Sequence, residues 1–231
     1  MGQRGGGPDY VCEAVTGASY VQRKQEQECY LCGNPADTKD HIPPRCIFPD
    51  PKPTDLITVP SCQECNSASQ LDDEYFRWFV ATASSEHPEA LRLIRERVIP
   101  RFRKRPALLK SIMRRAVRVN VHSRAGVFLK QRPGFHFDRP RIQNVVEKIT
   151  KGLYRHETAQ RLANEYSVKD FVFNPDVPDS AKDWVISLPL REIGAGLFSY
   201  RYAQAFEDEG VTTWFLVFFD KTMIMSMTDV Q

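Results

Sequence analysis

The sequence predicts an α+β protein in which a small cysteine-clamped module is followed by helices and an antiparallel sheet. Three observations carry this reading. Two CxxC pairs, Cys29/Cys32 and Cys62/Cys65, bracket a stretch dense in Pro, Asp and Thr. From Leu71 onward apolar residues recur at spacings of three and four, the period of a helix with one buried face. Beyond residue 126, runs of Val, Ile, Phe and Tyr bounded by Gly, Pro and Asp have the composition of strands.

Taken in order, residues 1–9 are Gly-rich and read as unstructured, and 21–28 as a short exposed helix or an extended lead-in. Residues 29–65 lack helical periodicity and read as turns and short strands. Leu71, Tyr75, Phe76, Phe79 and Val80 predict a helix from Asp72 onward, with Asp72 and Asp73 at its start, where carboxylates meet free N–H groups and the positive end of the helix dipole. Helical stretches are expected over Pro88 to Val98, over Ala107 to Val119, and over Pro140 to Asn164, where Ile142, Val145, Val146, Ile149, Leu153 and Tyr154 form a stripe. Strands are expected over Gly126 to Gln131, Asp183 to Leu188, Leu197 to Ala205 and Val211 to Phe219, with helices on one face of the sheet. These textures divide the chain into a lead-in, 1–28, a module, 29–84, and a helical basic segment with an α+β domain, 85–231.

Composition narrows the function classes. Hydrophobic residues make up 42% and charged residues 26% of 231, the balance of a chain that buries a core. No apolar run approaches the roughly 20 residues of a membrane helix, so no membrane partner is expected. The N-terminus lacks the apolar centre of a secretion signal, which points to the cytoplasm. Thiols stay reduced there, so six cysteines, four of them in CxxC pairs, suit a metal better than disulfides. Cys12 and Cys46 stand outside the pairs and read as ordinary thiols.

Two knuckles separated by 29 residues offer four thiolates to one ion, the donor set of a structural Zn2+ site. A redox CxxC is the competing use, but such motifs come singly and beside a βαβ pattern, which is missing here. Four cysteines leave no coordination position for water, so chemistry belongs to the loop between them. That loop holds Lys39-Asp40-His41-Ile42-Pro43-Pro44, and Asn66 follows the second knuckle at once.

The segments CYLCG, DHIPP, LITVPSC and CQECN, in that order, resemble the HNH, or ββα-metal, endonuclease family over about 40 residues. The resemblance implies a β-hairpin clamped to a helix, with His41 as the general base that deprotonates water. Asp40 and Asn66 would be the catalytic pair that holds one Mg2+ or Mn2+, while Cys29, Cys32, Cys62 and Cys65 hold zinc. An imidazole titrating near neutrality suits the base, and hard oxygen donors suit such an ion. Adjacent strand residues point to opposite faces, so a bulge or the end of the strand must bring Asp40 and His41 to one place. The sequence also departs from the family pattern. Asp55 stands where an intermediate Asn is common, and Ser67-Ala68-Ser69-Gln70 follows the knuckle where a basic residue is frequent. Asp72, Asp73 and Glu74 are further candidate ligands, although capping accounts for the first two. His87, His122, His136 and His156 lack ligand spacing.

Between Arg92 and Arg118 lie eleven Lys or Arg and one acid, against a net charge of +3 for the whole chain. Lys39, Arg45, Arg101, Arg103, Lys104, Arg105, Arg114 and Arg115 are the candidate phosphate contacts, with Arg77 beside them; a solvated helix face is the other reading of the run. The sequence-level expectation is therefore a DNA endonuclease. A zinc-stabilised nucleic-acid-binding or scaffold protein that does not cut, and a ribonuclease, are the alternatives. A homodimer or a regulatory protein partner stays open.

Overall fold

The computed structural model describes residues 27–123, 125–172 and 179–230. Cys12 and nearly all of the lead-in lie outside them. A first hairpin pairs β1 (Thr38–Ile42) with β2 (Ile57–Ser61) in plain antiparallel register, His41 opposite Thr58. Then come α1 (Gln63–Ala68) and α2 (Gln70–Ala83), which buries Tyr75, Phe76, Trp78, Phe79 and Val80 as the spacing predicts. A helical rod follows, α3 (Pro88–Leu93), a π-turn over Ile94–Val98 and α4 (Ile99–Lys104); His87 caps it by accepting the Glu89 N–H. Helix α5 (Pro106–Met113) ends earlier than expected, and residues 116–119 are strand. They belong to β3 (Ala116–His122), which pairs with β4 (Phe128–Phe135) in a second, separate hairpin. Alternating Val117, Val119 and Val121 outweigh the helix formers before them.

The long helix α6 (Arg139–Thr158) buries the predicted stripe. Strand β5 (Tyr166–Val172) is followed by α7 (Asp179–Ser187), β6 (Arg191–Ile193), β7 (Phe198–Gln204), β8 (Thr212–Phe218) and β9 (Thr222–Val230). The sheet is antiparallel throughout in the order β5-β9-β8-β7-β6. Residues 183–187, expected as strand, are helical instead. Trp184 of this helix packs on Phe215, whose side chain lies on the face opposite Trp214 and Leu216.

On the inner face Phe198, Tyr200, Trp214, Leu216 and Phe218 meet α2 and α6, with Phe76 edge-on to Phe218 at 5.4 Å. Thr150 of α6 and Ser226 of β9 share a hydrogen bond of 2.6 Å across the same buried layer. The apolar cluster runs without a break from Tyr30, Ile42 and Phe48 to Trp214 and Ile224.

Gly152 sets how closely α6 approaches the first hairpin. A Cβ there would lie 2.5 Å from Ile42 Cδ1, well inside contact distance. Lys148 lies one turn earlier on the same helix face and is thereby delivered to Asp40. Gly152→Val is expected to lower unfolding stability by about 1–3 kcal/mol, the usual effect of overpacking, measured from the urea midpoint. An unchanged midpoint would show that the approach is not tight.

Candidate functional site

The four thiols of Cys29, Cys32, Cys62 and Cys65 lie within 4.8 Å of one another. Zn–S arms of about 2.3 Å in a regular tetrahedron give sulfur-to-sulfur edges of about 3.8 Å. Cys32 and Cys62 are 3.7 Å apart, already at that spacing. The backbone prepares the rest. Gly33, at φ +78°, turns the first knuckle and its N–H bonds the Cys29 carbonyl, while Cys62 caps α1 by accepting the Cys65 N–H at its sulfur. Burial works against the Cys29 thiolate, but the backbone N–H groups of Cys32, Cys62 and Leu31 outweigh it and bring that thiol down to about 6. Burial and the neighbouring sulfurs push Cys65 up. Four thiols so close cannot all ionise without a cation among them, and the cluster has the donors and spacing of a structural, zinc-type site.

The clamp presents β1. Asp40 and Ile42 point inward and His41 is half-buried, the plain alternation of a strand with no bulge. Asp40 and His41 nonetheless both line one open cleft of about 480 Å³. Asn66, Arg45, Arg77 and Lys104 line it too. Asn66 sits on α1, where its Nδ2 donates to Thr38 Oγ1 at 3.3 Å and to the Lys39 carbonyl at 3.2 Å.

Asp40 is buried and heavily engaged. One carboxylate oxygen accepts the His41 N–H at 2.8 Å; the other accepts Tyr30 Oη at 2.9 Å and faces Lys148 Nζ at 3.1 Å. Lys148 is itself buried, and its ammonium also donates to Asp73 Oδ2 at 3.1 Å and Ser69 Oγ at 2.8 Å. Two carboxylates thus share one ammonium. Burial raises the Asp73 pKa while Lys148 pulls it back, and Asp73 Oδ1 is buried with no hydrogen-bond partner at the edge of the same cleft. Burial holds the His41 pKa below the ordinary histidine value, helped by Arg45 and Lys148 and opposed by Asp40. His41 is therefore neutral at pH 7.

The remaining candidates divide. Arg101 and Arg105 both pair with Glu74, and Asp72 holds α6 through Asn144 at 2.9 Å. These acids are engaged with cations or amides, in line with a structural use. Asp55 accepts the Gly194 N–H with both oxygens, at 2.9 and 3.1 Å, and so holds the turn between β6 and β7. Arg115 pairs with Asp138, whereas Lys39, Arg45, Arg103, Lys104 and Arg114 make no ion pair among the described residues. The thiol of Cys46 is pushed up by burial to about 12 and donates to the Asp73 carbonyl, which suits an inert side chain.

The chain matches no family model, no curated protein and no solved structure. The described residues include no helix long and apolar enough to cross a membrane. Function has to be read from the chemistry of the cleft.

Lys148 and Tyr30 are the site residues that sequence reasoning passed over. A lysine among Val145, Ile149 and Gly152, at the spacing of the buried stripe, was the available signal for the first. Two tests follow. Cys62→Ser should release the bound metal, read as zinc per chain after gel filtration, and loosen the module. Lys148→Met should destabilise by about 3–5 kcal/mol at pH 7, because two buried carboxylates lose their shared cation. Without Lys148 to offset burial, the Asp73 pKa rises further, so the penalty is present above the ordinary carboxylate value of about 3.9 and fades as pH falls toward it. A deficit equal at pH 7 and pH 4.5 would refute the shared charge.

Proposed function

We propose that the chain is a metal-dependent endonuclease of the HNH type, with residues 29–84 as the cutting module and 85–231 holding the substrate. One observation carries the reading: a neutral His41 shares an open, cation-rimmed cleft with Asp40 and Asn66. The donor set fits a hard divalent ion. Asp40 keeps one lone pair of its His41-bonded oxygen, Asn66 keeps its amide oxygen because both of its side-chain hydrogen bonds use Nδ2, and Asp73 Oδ1 adds a buried acceptor that is unpaired among the described residues. Asp40 and Asn66 would hold Mg2+ or Mn2+, which neutralises charge building on the scissile phosphate when bound.

The chain's own residues do the rest. His41 Nε2 or Nδ1 takes a proton from water, and the depressed pKa keeps it competent below neutrality. Its own backbone N–H, bonded to Asp40, fixes where the imidazole leaves the strand. Arg45, Arg77 and Lys104 receive the phosphate and its neighbours; Arg77 lines the cleft, and its buried Nε has no hydrogen-bond partner among the described residues. The cysteine site is structural and takes no part in the step.

Purified chain should nick or linearise plasmid with added Mg2+ or Mn2+, and His41→Ala should lose at least about a hundredfold in rate while keeping its zinc content. The acid limb of the rate profile should lie below the range of an ordinary histidine, because burial opposes protonation of His41. Equal cutting by His41→Ala sinks the mechanism. A second reading has its own support: Tyr30 and Lys148 both occupy one oxygen of Asp40, as suits a nucleic-acid-binding protein that does not cut. DNA retention without cleavage under every metal would favour it, and digestion of structured RNA alone would favour a ribonuclease.

A further inference from the structure

We propose that the β3–β4 hairpin is a DNA-reading arm that lies in the major groove of duplex DNA, a reading that rests on the nuclease proposal for its partner class. The arm is unusual in having no covering layer. Nearly every residue of Ala116–His122 and Phe128–Pro133 is exposed or half-exposed, on both faces, including Val119, Phe128 and Leu129. A two-stranded ribbon alone in water is marginally stable, so one with both faces bare is a ribbon suited to a partner.

Charge selects the partner. Residues 114–136 contain six Lys or Arg and no acid. Arg114, Arg118, Lys130 and Arg132 make no ion pair among the described residues, unlike Arg101, Arg105 and Arg115 nearby. Such a surface repels a basic copy of itself and attracts a polyanion.

Shape and hydrogen bonding select the groove. A B-form major groove, about 12 Å wide, admits a two-stranded ribbon, whereas the A-form groove of duplex RNA is too narrow. Seven residues at about 3.3 Å each make an arm of about 23 Å. At its centre Asn120 and Gln131 face each other in register, and Gln131 Nε2 donates to Asn120 Oδ1 at 3.0 Å. Among the described residues this leaves Asn120 Nδ2 as a free donor and Gln131 Oε1 as a free acceptor. Amides of this kind read the N7 and N6 edge of adenine. Arg118 lies on the same face, two residues from Asn120, and Lys130 and Arg132 on the other, placed for the flanking backbones.

The base of the arm is fixed to the cleft. Trp78 of α2 packs edge-on against Phe135 at 5.6 Å, Phe79 against Phe137 at 4.7 Å, and Tyr75 Oη accepts the Asp138 N–H. The same helix carries Asp73 into the cleft, so reading and cutting positions are joined by one rigid element.

The test is fluorescence anisotropy on full-length His41→Ala protein without added divalent ions, using labelled duplex DNA, single-stranded DNA and duplex RNA over a salt series. Replacing Arg118, Lys130 and Arg132 with Ala should flatten the log-log salt slope on duplex DNA by about 2.7, three contacts at about 0.9 each. Arg118→Lys with Arg132→Lys should restore it, which separates charge from misfolding. Selection from a randomised duplex pool should enrich adenine at one position, and Asn120→Ala with Gln131→Ala should reduce that preference about tenfold or more. An unchanged slope in the triple variant, equal binding of duplex RNA, or loss of a dimer in sedimentation with DNA binding intact overturns the arm. Duplex binding by wild-type protein that never cuts would sink the nuclease reading and leave the arm standing; cutting with an unchanged slope would do the reverse.

Discussion

A single buried ammonium ties this molecule together. Lys148 on α6 reaches Asp40 on the first hairpin and Asp73 on α2, each at 3.1 Å, and it does so from almost complete burial. Two opposite charges at such distances attract by about 4 kcal/mol at the effective dielectric of a partly solvated site, while removing each from water costs several kcal/mol. The arrangement therefore adds little net stability. Its effect is geometric: three elements from separate parts of the chain have one way to satisfy the ion, and that way fixes the inward turn of Asp40.

The cysteine cluster supplies what this contact cannot. The first hairpin is two strands of five residues, too small to hold its own shape in water. The knuckles close the chain between residues 32 and 62, and Tyr30, Ile42, Phe48 and Val59 then join the apolar cluster under the sheet. Metal fixes the outer end of the module and packing against α6 fixes the inner end. His41 sits between the two, at the end of a strand whose direction both determine.

Residues with a strong local signature were legible in the sequence. The knuckles, the buried faces of α2 and α6, and strands β7 and β8 follow from spacing and alternation alone. The misses have physical causes. Strand β3 follows a run of helix-forming Leu, Lys and Arg, and only its three alternating valines mark the change. Trp184-Val185-Ile186 is an apolar run too short for its period to decide between strand and helix. Strand β9 reverses the usual pattern: its buried side carries Thr222, Ser226 and Thr228, satisfied by Ser84, Thr150 and Thr212, while Met223 is exposed. Asp40, His41 and Asn66, singled out by their order along the chain, all line the cleft. Lys148 was not singled out, because its meaning depends on a contact 108 positions from Asp40 that only the packing of α6 creates.

The position of Lys148 also accounts for a carboxylate buried so deeply beside an open cleft. Burying the Asp40 carboxylate without a partner would be costly. With Asp73 beside it the repulsion would grow. One ammonium between them answers both carboxylates and leaves Asp73 Oδ1 unpaired among the described residues at the cleft wall. The rim of the same cleft is basic, with Arg45, Arg77 and Lys104. The cleft is thus divided by chemistry: carboxylates anchored by Lys148 at its floor, cations at its rim, and the His41 imidazole between them.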